Sequence, residues 1–149
     1  ILGHSELREN GENNNSIKKK IGNSVRSNLN IILCVGESYS TYKTKKSIQF
    51  IKSQLKVLTK KTIKNTIIAY EPIWSIGTGK SCNLEKVLEI SNLTRSLIGD
   101  DTIFIYGGSV NKDNILEYLS SPDINGVLVG SASLDKNSVE EMLNIIDAN

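Results

Sequence analysis

The chain has 149 residues, 38% of them hydrophobic, and a net charge of +2. That suffices for one buried core but not for two full domains. Lysines scattered through helical segments argue against a nucleic-acid footprint, and no run nears the roughly 18 apolar residues of a membrane helix.

No charged-then-apolar signal segment is visible, and Cys34 and Cys82 lie too far apart, in contexts too unlike, for a disulfide framework or a zinc cluster. The chain therefore reads as soluble and cytoplasmic. Cys34, inside "IILCVG", reads as a small core hydrophobe.

The chain opens on "ILGHSE", an apolar turn with no cap or tail before it, which reads as a cut edge and the end of a strand. His4, the single histidine, follows. "GENNNS" (11–16) is turn-like, and Ile17, Ile21 and Val25 then take helical spacing.

The run "IILCV" (31–35) reads as a strand and leads to Glu37; Ile48, Ile51, Leu55 and Leu58 form the next helical stripe. "TIIAY" (66–70) ends at Glu71. Asn83 is placed to cap a helix carrying Leu84, Val87, Leu88, Leu93 and Leu97.

"TIFIY" (102–106) leads into "GGS", and Asn111 is placed to cap the helix of Ile115, Leu116 and Leu119. "GVLV" (126–129) leads into "GSAS". Val139, Leu143 and Ile146 make a last stripe, for which Ser138 and Glu141 have capping-box spacing.

Each apolar β-branched run is expected to be a parallel strand buried on both faces. Alternating βα units mean an α/β fold with right-handed crossovers. A doubly wound sheet and a (β/α)8 barrel both begin this way. The polar and glycine-rich residues all follow strands, however, and a barrel gathers such loops at its C-terminal mouth. A barrel of about 250 residues has eight units, so five here make an incomplete barrel, with roughly three units of about 30 residues expected ahead of Ile1. Residues 1–149 are expected to be part of one such domain.

"GTGKS" (77–81) fits neither phosphate-binding fingerprint, because Trp74 and Cys82 stand where a P-loop and a dinucleotide motif need glycine. "SQLK" (53–56) matches a Ser-x-x-Lys nucleophile by chance and lies mid-helix. Glu71, at a strand end, is shielded enough to be tuned as a base, although an ordinary loop glutamate fits the position equally.

After Glu71, Pro72 makes a firm first step, and Gly77 with Gly79 supplies permissive backbone, the layout of a lid. Trp74 argues against a merely flexible loop, since an unpacked ring there would be a liability. "YGGS" and "VGSAS" each put small residues after a strand, where N–H groups can approach an anion; tight-turn glycines explain either one alone.

Taken in order and spacing, "ILGHSELR", "LCVGE", "AYEPIWSIGTGK", "YGGSVN" and "GVLVGSASL" closely resemble the triosephosphate isomerase family over nearly the whole chain. The resemblance implies the C-terminal part of a TIM (β/α)8 barrel, from its fourth strand onward. It further implies interconversion of dihydroxyacetone phosphate and glyceraldehyde 3-phosphate with no cofactor or metal, in a cytoplasmic homodimer of glycolysis and gluconeogenesis.

By motif, Glu71 would be the base and His4 the neutral donor that polarises the carbonyl, while Gly77, Ser109, Gly130 and Ser131 would offer N–H groups to the substrate phosphate. The lid would close to keep the enediol dry.

There are departures. Leu7 stands where the family generally has Arg near its dimer interface, Ser131 replaces a Gly, and Cys82 replaces a smaller residue at the lid's far hinge. Glu12 is matched to the family's acidic residue only across a gap. The family's catalytic Lys and its neighbouring Asn have no counterpart here, so this piece alone is expected to have negligible activity. The alternative is a non-catalytic remnant that keeps phosphate binding.

Overall fold

The computed structural model describes residues 1–148. In chain order it contains α1 (Ser5–Glu9), α2 (Asn14–Arg26), β1 (Ile31–Val35), α3 (Tyr39–Lys43), α4 (Ser47–Leu55) and α5 (Lys60–Ile63). There follow β2 (Thr66–Tyr70), α6 (Leu84–Ile98), β3 (Phe104–Tyr106), α7 (Ile115–Leu119), β4 (Gly126–Val127) and α8 (Lys136–Asp147). Short 3₁₀ turns occupy Ile73–Ser75 and Ser131–Leu134.

The strands form one parallel sheet in the order β1-β2-β3-β4, with Cys34 opposite Ala69, Tyr70 opposite Tyr106, and Tyr106 opposite Val127. This is the α/β alternation that the apolar runs imply, with neighbours in sequence also neighbours in space. The expected opening strand is reduced to one bridge: Leu2 pairs with Leu33, donating to the Ile32 carbonyl and accepting from Cys34 N–H at 2.9 Å each.

One face of the sheet holds the core. Leu33, Val35, Ile68, Tyr70, Phe104 and Tyr106 alternate along their strands and are buried against Ile17 and Ile21 of α2, Ile51 of α4, and Val87 and Ile90 of α6. Each such apolar side chain contributes about 1.5–3 kcal/mol on burial.

Burial on the other face departs from expectation. Cys34 and Ala69 are covered, but Ile32, Ile67 and Ile105 are only partly so, and Ile103 is 48% exposed. On this face cover increases toward the C-terminal ends of the strands. β3 and β4 are shorter than their apolar runs.

Local expectations were corrected at three helices. Leu58 lies beyond the end of α4, donating to the Leu55 carbonyl. Asn83 does cap α6, accepting from Lys86 N–H at 3.0 Å, but Asn111 accepts from Asp113 N–H in a turn preceding α7, whose cap position is Asn114.

On α8 the cap is Asp135, which accepts from the N–H groups of Asn137 and Ser138; Glu141 instead pairs with Lys112 at 2.8 Å. The stripe also turns: Met142 is buried and Val139 and Ile145 partly so, whereas Leu143 and Ile146 are exposed. A cap three residues earlier starts the helix earlier, and tertiary packing then selects the neighbouring stripe.

Candidate active site

All the singled-out residues follow strand C-terminal ends, and the parallel register brings those ends together. Glu71 is the first residue after β2 and continues the face of Ile67 and Ala69. His4 follows the Leu2 bridge on the far side of β1. The His4 Nε2 and Glu71 Oε1 atoms lie 3.8 Å apart, beyond hydrogen-bonding distance, so each keeps capacity for a third molecule.

His4 has its ring fixed by its own helix. As the N-cap of α1, its Nδ1 accepts the Glu6 backbone N–H at 3.4 Å. A ring nitrogen that accepts carries no proton, so the neutral ring holds its proton on Nε2, the atom facing Glu71.

Arg8 pins this turn in place. Its Nε donates to the Gly3 carbonyl at 2.7 Å and its Nη2 to the Cys34 carbonyl at 3.2 Å, while Glu12 accepts Gly3 N–H at 3.1 Å and pairs with Lys20.

Glu71 is buried, at 2% exposure. Its Oε1 accepts from the Cys34 thiol at 3.2 Å, and its Oε2 is buried without a partner. Burial raises its pKa above the ordinary carboxylate range, against smaller opposing pulls from the Cys34 thiol, His4, the Ser5 backbone and Arg8. A desolvated carboxylate with one oxygen free is a stronger base than an ordinary loop glutamate.

Cys34 is therefore more than a core hydrophobe. Its burial was legible in "IILCVG", but its hydrogen bond to Glu71 was not, because only the β1–β2 register sets the thiol beside the carboxylate. Burial and the neighbouring Glu71 raise the thiol's own pKa, so it stays protonated and able to donate.

Gly107, the first residue after β3, makes room for this carboxylate. A methyl group there would lie 2.9 Å from Glu71 Cγ and 3.6 Å from Leu128 Cβ. Gly36 is tighter, since an added Cβ would fall 1.8 Å from the Glu71 carbonyl oxygen.

Glu37, also just past a strand, is not part of the His4–Glu71 pair. It is fully buried and structural: Tyr70 OH donates to it at 3.1 Å and Ser47 Oγ at 2.9 Å.

The lid leaves Glu71 through Pro72 and the 3₁₀ turn, with Gly77 and Gly79 at φ +67° and +72°, left-handed backbone that suits glycine. Trp74 packs on Tyr42, with ring centroids 4.8 Å apart. At the far hinge, Cys82 N–H donates to Tyr106 OH at 2.8 Å and the Cys82 carbonyl accepts from Tyr118 OH at 2.5 Å.

Of the four expected N–H donors, Ser109 lies against the lid, its N–H donating to Ser75 Oγ at 3.2 Å. Gly77 sits in the lid tip. Gly130 and Ser131 stand at the start of the second 3₁₀ turn, just after β4. Ser131 is not among the non-glycine residues with positive φ, so the serine fits there without strain.

Among the described residues, no group of three or more His, Cys, Asp or Glu side chains gathers as a metal site requires, and no helix is long and apolar enough to cross a membrane. A hollow lies at the opposite ends of the strands, lined by Asn65, Ile67, Ile98, Thr102 and Ile103, away from His4 and Glu71.

A family model described as triosephosphate isomerase matches residues 1–148. Among curated proteins, the chain is 43% identical over 153 residues to a triosephosphate isomerase of Mycoplasma mobile, covering 98% of this chain and 60% of that protein. It is 45% identical over 147 residues to one of Prochlorococcus marinus strain MIT 9301, covering 97% and 61%, and 39% identical over 157 residues to one of Streptococcus suis strain 05ZYH33, covering 97% and 63%. The chain thus spans less than two thirds of the length of these curated relatives.

Proposed function

The chain belongs to the triosephosphate isomerase family, and from that premise we propose that it supplies the C-terminal part of a (β/α)8 barrel interconverting dihydroxyacetone phosphate and D-glyceraldehyde 3-phosphate. The observation that carries this reading is the 3.8 Å approach of His4 Nε2 to Glu71 Oε1 from opposite sides of β1.

In this proposal Glu71 takes the proton from one carbon of the triose and returns it to the adjacent carbon. The transfer requires a single carboxylate able to reach both carbons. His4, neutral with its proton on Nε2, donates that proton to the carbonyl oxygen as the enediol forms and takes one back from the neighbouring hydroxyl. The proton thus passes from one oxygen to the other and the ring ends neutral.

The phosphate is held by N–H groups of Gly77, Ser109, Gly130 and Ser131. Its binding energy closes the lid over the intermediate, which otherwise loses phosphate in water. No cofactor or metal enters this scheme. The complete protein acts as a cytoplasmic homodimer in glycolysis and gluconeogenesis, and the chain by itself turns over negligibly because no lysine here takes the role of the family's catalytic one.

The test joins this chain behind the part of the Mycoplasma mobile relative that it does not match, and assays isomerisation of glyceraldehyde 3-phosphate. Turnover is expected in the chimera and not in the 149-residue chain. His4→Gln and Glu71→Asp are each expected to lower the chimera's turnover about a hundredfold or more. Full turnover by either variant would exclude these roles.

A further inference from the structure

Ser75 is fully buried at the end of the 3₁₀ turn that opens the lid, and a polar side chain so placed requires partners. It finds them across the lid. Its hydroxyl lies 2.7 Å from the Lys80 carbonyl, 3.2 Å from Tyr106 OH and 3.2 Å from the Ser109 backbone nitrogen. The Ser75 carbonyl accepts from Ser109 Oγ at 2.5 Å.

One assignment of protons serves every contact. The Lys80 carbonyl can only accept, so Ser75 donates its single proton there. Its oxygen then accepts Ser109 N–H and Tyr106 O–H, and the Tyr106 oxygen accepts Cys82 N–H. The near hinge, the far hinge and the β3–α7 loop thus meet on one hydroxyl.

We propose that Ser75 is the latch of the lid, a positioning residue whose hydroxyl ties residues 73–82 to the loop that follows β3. An alanine there would keep the Ser109 Oγ and Tyr106–Cys82 bonds. It would lose the tie to Lys80 and the acceptor for both Ser109 N–H and Tyr106 O–H.

A consequence follows for ligand binding, and this consequence rests on the reading of Ser109 as a phosphate donor. The Ser75 hydroxyl and a phosphate oxygen would take the same N–H, so latching and anion binding compete for one donor.

The test uses the 149-residue chain. In the unmodified chain, deuterium exchange at the Ser109 amide is expected to be at least about tenfold slower than at Gly77; equal rates would overturn the latch, whether or not any variant folds. In Ser75→Ala, held well below its melting temperature, trypsin is expected to cut after the exposed Lys80 about fivefold faster, with cutting at other lysines little changed. An unchanged Lys80 rate in a folded variant would also overturn it.

Titration with inorganic phosphate, read at the Ser109 amide resonance, separates the two claims. Binding about fivefold tighter in Ser75→Ala supports the competition. A Ser109 resonance that phosphate leaves unmoved in both chains sinks the phosphate role of Ser109, and the latch is then judged on exchange and cleavage.

Discussion

The Cys34 thiol donates to Glu71 Oε1 across 3.2 Å, joining the end of β1 to the residue that follows β2. Because burial raises the Glu71 pKa, the folded chain binds a proton there more readily than the unfolded chain does. This contribution to stability is therefore fully present below the ordinary carboxylate pKa and is lost as pH rises through the folded value. Denaturant melts across that window are expected to show stability falling with pH, and Glu71→Gln is expected to remove that slope. In Cys34→Ala, loss of a donor to the carboxylate is expected to move the Glu71 titration further upward, as read by carbon NMR of its carboxyl.

Gly107 and Gly36 both abut Glu71, with different expected costs. At Gly107 an added methyl meets a side-chain carbon at 2.9 Å, which can shift at a cost of about 1–3 kcal/mol. At Gly36 it would overlap the Glu71 backbone carbonyl. Gly107→Ala is expected to fold with a lower melting temperature and a displaced carboxylate, and Gly36→Ala to fail to fold. Circular dichroism melts of both check this, and equal stabilities would contradict the packing described.

Tyr106 OH is the acceptor for Cys82 N–H at the far hinge. Tyr106→Phe keeps the buried ring and its packing on Tyr118, 4.2 Å between centroids, while removing that acceptor. A loss of about 1 kcal/mol is expected, concentrated in faster deuterium exchange at the Cys82 amide rather than in β3.

The cap of α8 gives a simple contrast. Asp135→Ala is expected to cost about 1 kcal/mol, because it strips acceptors from two N–H groups of the first turn. Ser138→Ala is expected to be nearly neutral. Chemical denaturation of the pair measures both, and the reverse order would restore the capping box read from Ser138 and Glu141.

The amino-acid sequence by itself determined the alternation of strands and helices, the parallel sheet, and the placement of His4, Glu71, Gly107 and Gly130 just after strands. These follow from period, β-branching and residue type, which act over a few neighbouring residues. The tertiary structure alone decided that the Cys34 thiol meets Glu71, that Arg8 braces the His4 turn, that Ser75 gathers both hinges of the lid, and that α8 buries Met142 rather than Leu143. Each of these is a meeting of side chains from segments far apart in the chain, fixed by strand register and by which helix face finds cover, and no local pattern carries that distance.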